Sequence, residues 1–136
     1  MDEVGLCWAA IFDSDRKSQG DSPCKEAQDI YDCHPRTCKL VHILKRTCLE
    51  NYLGRNAIKN ITGIDANVPV YGSLLDSASG QPLKNRKRKI TNNMRAIAAS
   101  MGADVLIKCS FPPDKTSPED CELIRIFDDI QKAFGL

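Results

Sequence analysis

From Val4 to Phe12 the chain reads "VGLCWAAIF", apolar or glycine at every position, and then turns abruptly into "DSD". The run is too short and too uniformly apolar for an amphipathic helix, so it predicts a buried strand. Strands that are apolar throughout belong to parallel sheets covered by helices. Asp13 and Asp15, at the end of this one, would lie on the sheet edge where α/β folds bind ligands. They also suit a plain polar turn, which Asp and Ser favour.

The rest of the pattern supplies the alternation that a parallel sheet needs. Ser22-Pro23 reads as the cap and first residue of a short helix ending at His34-Pro35. Arg36–Leu53 predicts a second helix, with Leu40, Val41, Leu44, Cys48 and Tyr52 along one side and Gly54 at its C′ position. Residues 55–66 read as irregular, and Val68–Tyr71 as a short strand. Leu83, Ile90, Met94, Ile97 and Met101 fall within about 60° on a helical wheel, which predicts a third helix closed by Gly102. Asp104–Phe111 predicts the last strand. Ser117-Pro118-Glu119-Asp120 resembles a capping box before a final helix with Leu123, Phe127, Ile130 and Phe134 inward. The expectation is one α/β domain over 1–136, with Val4–Phe12, Val68–Tyr71 and Asp104–Phe111 in one parallel sheet between helices, α/β/α. Asp13 and Asp120 would then share an edge. So short a sheet leaves an edge strand through which two copies could pair as a homodimer.

At 136 residues the chain can bury a real core, and no stretch approaches a membrane span. "MDEVGLCW" lacks the basic start of a secretory signal, and seven cysteines fit reduced thiols, so the expected setting is intracellular, cytoplasmic or nuclear. The net charge of +1 hides an uneven distribution. Residues 1–33 carry eight acidic and three basic side chains, residues 34–108 four and thirteen, and residues 109–136 six and three. A basic middle between acidic ends suits a polyanionic partner.

Two groups of residues carry candidate chemistry. Asp13, Asp15 and Asp120 are carboxylates of the kind that hold Mg²⁺, which takes few carboxylates and keeps several waters. Against this, Asp120 would also simply complement a helix dipole. The run "KNRKRK" gives Lys84, Arg86, Lys87, Arg88 and Lys89, with Arg95 further on; Lys84, Arg88 and Arg95 would share a face opposite the apolar stripe. Cations in a first turn oppose the helix dipole, so phosphate contact is one reason for them. A nuclear import signal and a merely solvated face are the others. Cys24, Cys33, His34, Cys38, His42 and Cys48 lack the tight spacing of a zinc site, and core thiols describe them better.

Three stretches resemble the NYN domains, a branch of the PIN-like nucleases. "IFDSD" is similar to the element "W-D-x-E-N" after the first strand of that family. "ENYLG" at 50–54 and "VPVYGS" at 68–73 are similar to the pair flanking the second strand in plant limkain-type members. "TSPEDCELIRIFDDI" at 116–130 resembles the segment in which a helix-opening Asp precedes an apolar stripe. The chain departs from the family at Arg16 and Ser73. It ends where members continue into a fourth strand and another acidic motif, so the resemblance implies a truncated domain. It implies a Rossmann-like fold that binds single-stranded RNA, related to Mg²⁺- or Mn²⁺-dependent endoribonucleases, with little or no cleavage of its own. Asp13 and Asp120 would be catalytic metal carboxylates, and Asp15 would assist. The alternative is a non-catalytic nuclear regulator with an import signal at 84–89.

Overall fold

The computed structural model describes residues 6–102 and 121–136, and within them the chain is mixed α/β with a short parallel sheet of two strands. Strand β1 (Trp8–Phe12) leads through helix α1 (Lys25–Cys33) into strand β2 (Cys38–Ile43), which pairs with β1 in parallel from Trp8↔Cys38 to Phe12↔Ile43. The ladder runs one step beyond the strands, where Leu44 N–H donates to the Phe12 carbonyl at 2.9 Å. Helix α1 ends at His34-Pro35 as the sequence predicts, with His34 extended (ψ 148°).

The predicted helix over Arg36–Leu53 is instead β2 followed by a 3₁₀ turn at Leu49–Tyr52. Most of the burial expectation survives the change of backbone: Val41, Leu44, Cys48 and Tyr52 are buried, and Leu40 is half-buried. Val41 and Ile43 are β-branched and lose side-chain freedom in a helix. A strand register against β1 gives "CKLVHI" its backbone partners while still burying Cys38 and Val41. Gly54 therefore does not close a helix. It is the N-cap of helix α2 (Arg55–Thr62), which occupies the stretch expected to be irregular and ends on Gly63 at φ +73°.

Val68–Tyr71 is not a strand either. The chain makes a two-residue antiparallel pairing of β3 (Ala66–Asn67) with β4 (Leu75–Asp76), and 68–71 lie in the connection between them. Pro69 has no N–H for a ladder. Its carbonyl and that of Gly72 accept instead from the buried Asn51 side-chain amide at 2.8 and 3.0 Å. Two further elements follow the Leu83 turn, helix α3 (Lys87–Asn92), entered through a 3₁₀ turn at Lys84–Arg86, and helix α4 (Met94–Met101). They break at Asn93, whose side-chain amide bonds the Lys89 carbonyl at 2.8 Å and so competes with the helical ladder. Helix α5 (Glu122–Phe134) completes the described chain. Asp104–Phe111 and Asp120 lie outside the described residues.

Two apolar clusters hold these pieces. The larger joins Leu53, Ile58, Ile64, Leu74, Leu83, Ile90, Ile97 and Met101 from α2, the β3–β4 pair, α3 and α4. The smaller joins Leu44 and Tyr52 to Cys121 and Ile126. Phe127, expected inward, is 63% exposed; Ile126 takes that place. No described helix is long and apolar enough to cross a membrane.

Ile58→Ala and Ile97→Ala each remove a side chain with no exposed surface. Each should lower stability by about 2–5 kcal/mol in urea unfolding, while Phe127→Ala should change it by about 0.5 kcal/mol or less.

Candidate functional site

Parallel pairing sends both strands out at the same edge, and hydrogen bonds from Ser14 and Thr47 lock together the loops beyond it. Ser14 is fully buried; its hydroxyl donates to the Arg46 carbonyl at 2.7 Å and accepts from Arg16 N–H at 3.2 Å. The Thr47 carbonyl accepts from the N–H groups of both Ser14 and Asp15 at 3.0 Å. The Thr47 hydroxyl donates to the Arg16 carbonyl and accepts from Gly72 N–H. In "DSD" the serine is thus the anchor, and Asp13 and Asp15 stand exposed on either side of it. Asp15 takes φ +54°, a left-handed conformation that Asp tolerates better than most residues.

Asp13 meets the chain emerging from β2, accepting from Leu49 N–H at 3.2 Å. Desolvation raises its pKa above the ordinary 3.8, and the charges of Glu50 and Asp15 add to the rise; Lys87 works the other way. Glu50 is buried in the 3₁₀ turn after β2. Burial opposes its ionisation, but hydrogen bonding from Cys48 and from its own backbone, the charge of Lys87 and the hydroxyl of Thr91 hold its carboxyl below the ordinary value. Thr91 donates to Glu50 Oε1 at 3.2 Å, and Lys87 Nζ lies 3.6 Å from the same oxygen. At one sheet edge, then, burial holds the Asp13 carboxyl above its ordinary value while hydrogen bonds and Lys87 hold that of Glu50 below. Cys48, beside them, has its thiol pushed up to about 12 by burial and by Glu50, so it is no nucleophile at neutral pH.

The basic segment reaches this edge at Lys87, the first residue of α3. Arg86 turns elsewhere and pairs with Asp76 at 2.5 Å, tying the segment to β4. Lys84, Arg88, Lys89 and Arg95 are exposed and pair with no carboxylate among the described residues. The single helical face expected for Lys84, Arg88 and Arg95 is broken, because Lys84 sits in the 3₁₀ turn and Arg95 beyond the Asn93 break.

A second buried carboxylate meets the chain just past the end of β2. Glu122, at the start of α5, is 2% exposed. Its Oε1 accepts from Lys45 N–H at 2.8 Å and lies 2.7 Å from His42 Nε2, while Oε2 accepts from the Tyr52 hydroxyl. Burial, and then the charge of Glu122, push the Tyr52 phenol far above its ordinary range. Arg46 stacks over the Tyr52 ring at 4.9 Å and donates to the Asn51 carbonyl at 2.7 Å. With both Glu122 oxygens partnered within the protein, this cluster is a fastening of α5 to β2. It also occupies His42, and the Cys38 thiol bonds the Leu40 carbonyl at 3.3 Å, so the two are not set up as a zinc pair.

Among the described residues no three His, Cys, Asp or Glu side chains stand together as a metal-binding group. A Mg²⁺ ion needs only one or two protein carboxylates when water and phosphate complete its shell. Sequence reasoning missed Glu50. The signal was present in "LENYLG", but a helix over 36–53 hides the return of the chain to the end of β1. No family model, no curated protein and no solved structure matches this chain.

Asp13 supplies a direct check on the electrostatics. A carboxyl whose folded-state pKa is raised binds its proton more tightly when folded, so its ionisation opposes folding. Its favourable contribution is complete below the ordinary 3.8 and is lost as pH rises through the raised value. Asp13→Asn should therefore raise the thermal midpoint at neutral pH and leave it unchanged near about pH 3, read by calorimetry across pH.

Proposed function

We propose that this chain is a nucleic-acid-binding α/β domain of the PIN-like kind, with RNA as its partner and a divalent-cation-dependent phosphodiester site at the carboxyl edge of its parallel strands. What supports the reading most is the meeting of Asp13 and Glu50 behind two adjacent strands with Lys87 of the basic segment beside Glu50. Opposed carboxylates that repel one another are poor for stability and good for holding a cation. Mg²⁺ or Mn²⁺ bound there would supply a polarised water and offset charge on a phosphodiester.

The chain's own residues divide the remaining work. Asp13 and Glu50 would hold the cation, and Asp15, on the turn anchored by Ser14, would take a bound water. Lys84, Arg88, Lys89 and Arg95 would bind the phosphate backbone and position the strand without reading its bases. Asp120 would add a further carboxylate.

Two measurements test this. The triple variant Lys84→Ala, Arg88→Ala, Arg95→Ala should weaken binding to single-stranded RNA equally for unrelated sequences. It should also reduce the slope of log affinity against log salt by about 2, since each phosphate contact on a single strand contributes about 0.7. An unchanged slope would move the weight to the import-signal reading of 84–89. Cleavage of the same RNA should be slow, should need Mg²⁺ or Mn²⁺, and should disappear in Asp13→Asn and Glu50→Gln. Robust cleavage in the presence of chelator would refute the metal site.

A further inference from the structure

The basic segment does not treat all its neighbours alike. Arg86 makes a direct 2.5 Å ion pair with Asp76, of the kind that fastens one element to another. Lys87, next in sequence, sits 3.6 Å from Glu50 Oε1, beyond hydrogen-bond range, with a side chain 45% exposed against 10% for the carboxylate. Glu50 is held by Thr91, whereas a lysine ammonium on a flexible stem can swing into solvent. Lys87 opens α3, where a cation opposes the helix dipole, so helix stability gives no reason for its charge.

We infer that Lys87 competes with a divalent cation for the carboxylate edge, giving up Glu50 for the phosphate of a bound strand when Mg²⁺ or Mn²⁺ is present. The inference rests on the reading of that edge as a cation site. The field of Lys87 covers the whole edge, favouring the ionised forms of Asp13 and Glu50 alike. A divalent ion satisfying the same two carboxylates would be repelled by an ammonium a few ångströms away, so one must yield. The carboxylates would then never be left without a cation, and metal entry and phosphate capture would be linked through a single side chain.

The test is titration of the full chain with Mn²⁺ alone, followed by calorimetry and by the free-Mn²⁺ electron paramagnetic signal. Lys87→Gln should bind Mn²⁺ roughly three- to tenfold more tightly than wild type, the range set by removing one screened charge near the site. Lys87→Arg, which keeps the charge, should bind like wild type. Circular dichroism checks the fold of each variant, and Lys87→Met, which keeps the aliphatic stem, provides the same comparison should Lys87→Gln fold poorly. Mn²⁺ affinity that is unchanged or weaker without the charge would overturn the competition while leaving the cation site standing. Failure of both wild type and Lys87→Gln to bind Mn²⁺ would remove the cation site and the competition together.

Discussion

The parallel pairing of β1 with β2 sets where the loops and their charged groups emerge. Parallel strands leave their sheet at a common edge, and here the pairing continues past both strands through Leu44 N–H, Ser14 and Thr47. Thr47 alone bonds the loop after β1, through the N–H groups of Ser14 and Asp15 and the carbonyl of Arg16, and the turn at Gly72. The consequence is electrostatic. Asp13 is drawn toward Glu50, because Leu49 N–H binds it and the next residue in the chain is Glu50.

The molecule treats its other buried carboxylate differently. Glu122 is enclosed, but each of its oxygens meets a donor, and its attachment to His42, Lys45 and Tyr52 holds α5 on β2. Buried carboxylates with complete hydrogen bonding define a packing arrangement sharply, since a misplaced α5 would strand the charge without partners. Asp13 differs in kind. Its environment raises its pKa, and the neighbouring charge that eases its ionisation sits on a half-exposed lysine. The same backbone framework therefore carries one carboxylate that is satisfied internally and one that a cation from outside would relieve.

Much of this was legible in the sequence, and the misses have physical causes. The apolar run before "DSD" is a strand, though one with Trp8 and Ile11 exposed rather than buried, and the helix before His34-Pro35 breaks there. The stripe of Leu83, Ile90, Ile97 and Met101 is buried, but on the cap of a 3₁₀ turn and two helices parted at Asn93 instead of one helix. Between Arg36 and Leu53 the buried positions fit a helix and a strand-plus-turn equally well, and only pairing with β1 decides. That ambiguity concealed Glu50. Glu122 was invisible for another reason: an acid in a first turn reads as a dipole complement, and its partner His42 lies 80 residues away. The Val68–Tyr71 expectation failed because the Asn51 amide, not a neighbouring strand, takes the Pro69 and Gly72 carbonyls.

A divalent-cation site at the carboxyl edge of β1 and β2 is the core of the proposed function. Substoichiometric Mn²⁺ added to the ¹⁵N-labelled chain is the sharpest check on it, through paramagnetic broadening of the backbone amide signals. A second set of carboxylates, Asp65 and Asp76, lines a polar cleft of about 530 Å³ with Arg55 and Arg86 and provides an internal control. Asp13, Asp15, Leu49, Glu50 and Lys87 should broaden first, with the cleft residues unaffected. Broadening centred on Asp65 and Asp76, or spread evenly over the acidic surface, would contradict a site at the strand ends.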